Sequence, residues 1–253
     1  MLTRRALLLS ALAATACRPG GPRAHAVSGS FASEAMKRRI RWRVLTPVTS
    51  RSLPMLLWLH GRNGDYTTVD DLARPLQQYV DKGGTPFAVV GVDGGAHSYY
   101  HPRADGTDPQ RMILTELLPR MAQRGLRTDR FAIGGVSMGG YGALLLAEKL
   151  GPTRIEVIAV DAPAIFPDAR SHSAGSFDSG ADFQAHDVIA QAARLHDIPV
   201  RVVCGLSDPF LPGAKRLIAK VPAEHYFGRG GHNGDFWNPA NPAQLAFVGR
   251  HLS

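Results

Sequence analysis

Gly135-Val136-Ser137-Met138-Gly139-Gly140 decides the fold. A short apolar run, 131–133, precedes it, and a segment of helical character, 141–150, follows it. Gly-x-Ser-x-Gly between a strand and a helix puts the serine on a tight, strained turn, and side chains two positions to either side would strike neighbouring elements. The same turn leaves Ser137 at a helix N-terminus, where the N–H of Met138 can face a developing negative charge. The bare motif is common. Its setting between strand and helix makes Ser137 a candidate nucleophile.

Outward from this turn the chain alternates. Continuous apolar runs at 54–59, 87–92, 131–133, 157–160 and 200–204 read as strands buried on both faces, while 40–45 alternates apolar and basic residues as a half-exposed antiparallel strand does. Helical patterns fall at about 68–82, 109–124, 138–150, 185–196, 213–220 and 242–251. This order predicts an α/β fold: a mostly parallel sheet with helices on both faces, its site at the carboxyl ends of the strands. Residues 17–30, rich in Pro, Gly and Ser, read as a linker, and 165–184 as a long loop near the cleft mouth.

Composition sets the limits. The 253 residues, 44% hydrophobic and 20% charged, suit one globular domain. Of the formal charge of +8, half comes from Arg4, Arg5, Arg18 and Arg23 in the first 26 residues, which hold no acid. The remainder is a mildly basic surface without a Lys/Arg run interleaved with aromatics, so nucleic acid is not an expected partner. Arg4-Arg5 before a short apolar run ending at Ala16 resembles a twin-arginine export signal, too short to span a bilayer comfortably. Two cleavage sites compete: Ala24-His25-Ala26 for an ordinary signal peptidase, and Ala14-Thr15-Ala16-Cys17, an imperfect lipobox that would leave a lipid anchor on Cys17. Either way the expectation is an export segment over 1–26, a folded domain over 27–253 and work outside the cytoplasm. With Cys17 removed or acylated, Cys204 has no disulfide partner, and its apolar strand makes it a small buried hydrophobe.

A serine nucleophile needs a base, and the base an orienting acid. Of ten histidines, His232 stands out in Gly230-Gly231-His232-Asn233-Gly234, a glycine-rich loop late in the chain. His186 and His196 fall in a helical pattern and read as solvated or capping, His25 lies in the signal or linker, and His251 is at the terminus. Asp208, on the loop after the strand at 200–204 and before Pro209, is the chosen acid over its rivals Asp182, Asp187 and Asp235. The loop His60-Gly61-Arg62-Asn63-Gly64 should supply the second oxyanion donor, the backbone N–H of Arg62, with His60 supporting the loop. His60, Asn63, Tyr99, Tyr100 and Trp237 are the candidates to line the cleft.

These blocks resemble the esterase D-type esterases, a branch of the α/β-hydrolases. The similarity rests on Ser33-Glu34-Ala35-Met36 with the strand that follows, Leu59-His60-Gly61, the 135–140 turn, and Gly231-His232-Asn233 with Phe236-Trp237, and it covers about residues 30 to 251. That family includes S-formylglutathione hydrolases, feruloyl and acetyl-xylan esterases and mycolyltransferases. The resemblance implies the Ser137–His232–Asp208 assignment, the α/β-hydrolase fold and no metal or organic cofactor. It leaves the substrate open between small-molecule, glycan and lipid esters. Ester hydrolysis is the leading reading. Acyl transfer to a sugar hydroxyl is the alternative, with peptidase or thioesterase activity and a non-catalytic wall or binding protein behind it.

Overall fold

The computed structural model describes residues 24–47 and 52–252. Most of the expected export segment, with Arg4, Arg5 and Cys17, lies outside the described residues. Eight strands form one sheet: β1 (His25–Ser33), β2 (Arg38–Thr46), β3 (Met55–Leu59), β4 (Ala88–Val92), β5 (Phe131–Val136), β6 (Ile155–Asp161), β7 (Val200–Gly205) and β8 (Ala223–Gly228). Their order across the sheet is β1-β2-β4-β3-β5-β6-β7-β8. The pairs β1–β2 and β2–β4 are antiparallel and the others are parallel.

Every residue of β3, β4, β5 and β6 is buried, which is why these strands read as unbroken apolar runs. Alternate side chains enter two cores. On one face Leu56 and Trp58 of β3 join Val89, Ala132 and Val157, covered by α1 (Ala73–Asp81) and α7 (Gly234–His251) through Leu76, Leu245 and Val248. On the other, Leu57 and Leu59 join Val90, Ile133 and Ile158. That face is covered by α2 (Pro109–Arg111) and α3 (Leu118–Gln123), which a π-helical turn over Met112–Leu117 joins, and by α4 (Met138–Leu150). The short α5 (Gly180–Ala185) and α6 (Leu211–Ile218) complete that face through Phe183, Ala214 and Leu217. From Met138 to Glu148 all residues of α4 are buried, the signature of a helix enclosed on all sides.

Three sequence expectations change. The linker expected over 17–30 ends at β1, whose register runs from His25↔Thr46 to Ser33↔Arg38. Gly29 there lies under the Trp42 ring, where a Cβ would not fit. In place of the helix expected over 185–196, α5 ends at Ala185 and a single 3-10 turn, Ala192–Leu195, follows. The last helix begins at Gly234, eight residues earlier than the pattern, and carries Pro239 and Pro242 within it. Among the described residues no helix is long and apolar enough to cross a membrane.

Candidate active site

The turn after β5 does what its glycines predict. Ser137 has φ +56° and ψ −117°, a conformation that costs a non-glycine residue about 1–3 kcal/mol. It is held by its N–H donating to Asp161 O at 2.8 Å and by its own carbonyl accepting from Tyr141 and Ala164, both at 3.0 Å. A Cβ on Gly135 would stand 2.6 Å from Leu59 O, and one on Gly139 would overlap the same carbonyl. The strain is affordable because β3, β5 and α4 are all packed against the turn.

Two further strand ends meet it. Asp208 follows β7, is buried, and accepts Phe210 N–H on Oδ1 at 2.8 Å. Its Oδ2 lies 2.7 Å from His232 Nδ1, and His232 Nε2 lies 2.8 Å from Ser137 Oγ. A carboxylate only accepts, so Nδ1 carries the proton and Nε2 accepts from the serine hydroxyl. Phe210 and Trp237 pack edge-on against the imidazole, with centroids at 5.0 and 5.3 Å. The rivals are elsewhere: Asp182 is in α5, Asp187 accepts Ile189 N–H, and Asp235 is in the first turn of α7.

The loop after β3 lies against the serine, with the Gly61 Cβ position 3.5 Å from Ser137 Cβ. Neither Arg62 N–H nor Met138 N–H donates in the loop and cap hydrogen bonds of the described residues. Met138 is the first residue of α4, where an amide has no intrahelical acceptor. Asn63, at φ +59°, donates its N–H to Ala96 O at 2.9 Å and fixes the loop. The Arg62 side chain reaches away, donating to His97 Nδ1 at 2.8 Å and Ala174 O at 3.0 Å.

A cavity of about 390 Å³ opens over these atoms, lined by Ser137, His232, Arg62, Asn63, Tyr99 and Trp237, with Gly61, Val136, Ser173 and Phe210 completing it. Of the expected cleft residues, Asn63, Tyr99 and Trp237 line it, and His60 and Tyr100 do not. His60 is buried behind the loop, donating from Nδ1 to Gly61 O at 2.8 Å and accepting Gly94 N–H on Nε2 at 3.0 Å. Burial pushes its pKa down, which keeps this neutral tautomer. It therefore supports the loop, as expected of it, without meeting the cleft. Tyr100 is fully buried, its ring occupying the space that Gly94 and Gly142 leave. Ser173 and Phe210 went unremarked in the sequence. Phe210 stands two residues after Asp208, and Ser173 belongs to the 165–184 segment expected at the cleft mouth.

A mostly parallel sheet crossed by a strained serine turn, with an acid and a histidine delivered from later strand ends, defines an α/β-hydrolase. The chain matches the family described as "Putative esterase" over residues 33–225, and it belongs to that family of hydrolases. Solved structures agree on the fold. A ferulic acid esterase superposes with a TM-score of 0.79 at 19% identity, over 91% of this chain and 100% of that one. An S-formylglutathione hydrolase from Agrobacterium tumefaciens gives 0.76 at 18%, over 90% and 95%. MPT51 (FbpC1) of Mycobacterium tuberculosis gives 0.71 at 17%, over 92% and 100%. No curated protein matches.

Proposed function

We propose that this chain hydrolyses carboxylic esters by double displacement through Ser137, His232 and Asp208. The observation that carries the reading is the unbroken hydrogen-bond chain from Ser137 Oγ through His232 to the buried Asp208 carboxylate, at the floor of an open cavity. Ser137 Oγ attacks the ester carbonyl carbon while its proton passes to His232 Nε2. Asp208 stabilises the imidazolium through Nδ1–H. The carbonyl oxygen becomes an oxyanion facing the N–H groups of Met138 and Arg62, each such donor being worth about 3–4 kcal/mol in comparable sites. Collapse breaks the bond to the alkoxide, which takes the proton from Nε2 and leaves as the alcohol. Water then attacks the acyl-serine, giving its proton to His232. The carboxylic acid departs and Oγ regains the proton.

Tyr99, Phe210 and Trp237 on the cavity wall suit an apolar or aryl acyl group. Glycan and lipid esters remain within this class. The paired arginines at 4 and 5 support export, with release into the extracytoplasmic space or attachment through a lipidated Cys17.

The test is hydrolysis of p-nitrophenyl esters from acetate to palmitate by the purified chain, beside Ser137→Ala, with fluorophosphonate labelling. The expected result is turnover and labelling in wild type alone. Labelling without turnover, followed by product on addition of a sugar acceptor, would favour the acyl-transfer alternative. No labelling at all would end the serine reading and leave the binding role.

A further inference from the structure

Behind the cleft wall, three side chains from two segments converge. His101 sits two residues beyond Tyr99, Asp182 lies in α5, and His186 is that helix's C-cap. His101 is fully buried, yet both its ring nitrogens face carbonyl oxygens, Nδ1 at 2.9 Å from Pro102 O and Nε2 at 2.9 Å from Ser176 O. A neutral imidazole has one N–H, so one of these contacts opposes lone pair to lone pair. A cation placed at the unprotonated nitrogen would resolve it.

The neighbours have the chemistry to hold one. Asp182 Oδ1 lies 3.0 Å from His186 Nδ1 and 3.6 Å from His101 Nδ1, and the three residues each bring a ligand atom within 4.8 Å of the other two. Two ligand atoms, each about 2.0–2.1 Å from a tetrahedral zinc ion, stand roughly 3.3 Å apart. The two observed separations bracket that value. The rings are stacked with centroids at 4.5 Å and 28° between planes, so their edges are presented side by side.

We propose that His101, Asp182 and His186 bind a divalent transition-metal ion of the zinc class through His101 Nδ1, Asp182 Oδ1 and His186 Nδ1. Imidazole nitrogen and carboxylate oxygen are its preferred donors. Outer partners are in place. His101 Nε2–H donates to Ser176 O, which fixes the tautomer with an unprotonated Nδ1, and Asp182 Oδ2 accepts Asp178 N–H at 2.8 Å. Two contacts give way, His186 Nδ1 with Asp182 O and His101 Nδ1 with Pro102 O, both at 2.9 Å. The ion takes no part in chemistry at Ser137. It fastens the 172–186 segment to the turn bearing Tyr99, because ring contacts run from His101 through Phe177 to Tyr99 on the cavity wall. The site stands independently of the esterase reading.

The test strips the purified full chain with a chelator and titrates it with Zn²⁺ against a chromophoric competitor, following Tm alongside. One equivalent should bind, Tm should rise with occupancy, and Co²⁺ in its place should give visible d–d absorption. His186→Asn and Asp182→Asn, checked for folding by their metal-free Tm, should weaken binding by at least the 10–100-fold that outer-partner changes cost. His232→Ala should retain the equivalent. Absence of stoichiometric binding in wild type would overturn the proposal. So would an equivalent that survives in both folded His186→Asn and Asp182→Asn, or that is lost in His232→Ala.

Discussion

At the floor of the cleft, each group of the proposed reaction is delivered by a turn just beyond a sheet strand: Arg62 after β3, Ser137 after β5, Asp208 after β7 and His232 after the edge strand β8. The segment that carries Ser173 and backs Tyr99 on the cavity wall is made differently. Between β6 and β7 the chain forms only the six residues of α5 and one 3-10 turn, and it is held by side chains. Arg103 grips Asp178 through Nε and Nη2 at 3.2 and 2.7 Å and reaches Gly175 O and Ser176 O from Nη1 at 3.0 and 3.1 Å. Tyr99, Phe166, Phe177 and Phe183 pack ring to ring behind it. Chemistry needs positions fixed to fractions of an ångström and takes them from the sheet. Selectivity needs a shaped surface, which side-chain contacts can supply and adjust.

The contrast can be broken from the floor first. Ser137→Ala should lower kcat by about 10⁵-fold or more with Tm unchanged within a few degrees, read by ester turnover and thermal melting. Asp208→Asn should follow with about a 10⁴-fold loss, since an amide presents the imidazole in the wrong tautomer. Normal turnover in Asp208→Asn beside a dead Asp182→Asn would move the acid to the wall. Wall substitutions should be gentler: Trp237→Ala and Tyr99→Phe are expected to shift KM and the acyl-chain profile by roughly 10- to 200-fold at most, as one pocket contact is worth about 1–3 kcal/mol.

The smallest effect sharpens the floor's electrostatics. Asp161, whose carbonyl holds Ser137 N–H, is fully buried, and burial pushes its pKa up to about 7, partly offset by Gln244 Nε2 donating to Oδ1. Glu148, buried in α4, is pushed up to about 9 for the same reason. Below the ordinary carboxylate range both folded and unfolded chains hold these protons. Between about 4 and 7 the unfolded chain releases the Asp161 proton while the native chain keeps it, so stability falls as pH rises, and this contribution levels off above 7. Glu148 continues the decline to about 9. Tm measured from pH 5 to 8 should fall in wild type, and Asp161→Asn should flatten the profile.

The floor was legible because its signals are local. Unbroken apolar runs mark the strands buried on both faces, and the glycines at 135 and 139 announce a turn where no Cβ fits. Asp208 and His232 could be chosen by chain order and by the loops that carry them. The edges were less legible. In β1, His-Ala-Val-Ser-Gly-Ser-Phe-Ala-Ser buries fully only Phe31 and Ser33, and in β8 Ala-Glu-His-Tyr-Phe-Gly buries fully only Gly228, so neither shows an apolar run. Tyr99 and Tyr100 show a further limit. They are adjacent, both at positive φ and both buried, yet one lines the cleft and the other fills a gap between two glycines. The turn that carries both is braced by Ser98 Oγ, which donates to Gly94 O and accepts Tyr100 N–H, contacts between residues whose pairing no periodicity reveals.

The start of β1 at His25 bears on where the chain can work. A cut after Ala26 would remove Ala24 from its core and strip the rungs opposite Thr46 and Leu45. A chain processed before Cys17 keeps that ladder whole, and the eight peptide steps from Cys17 to His25 then span at most about 28 Å. A globule of this size is roughly 45 Å across. Acylated at Cys17, the protein would be a short-leashed grazer, with the gap between the lipid and His25 held to less than the globule's own width.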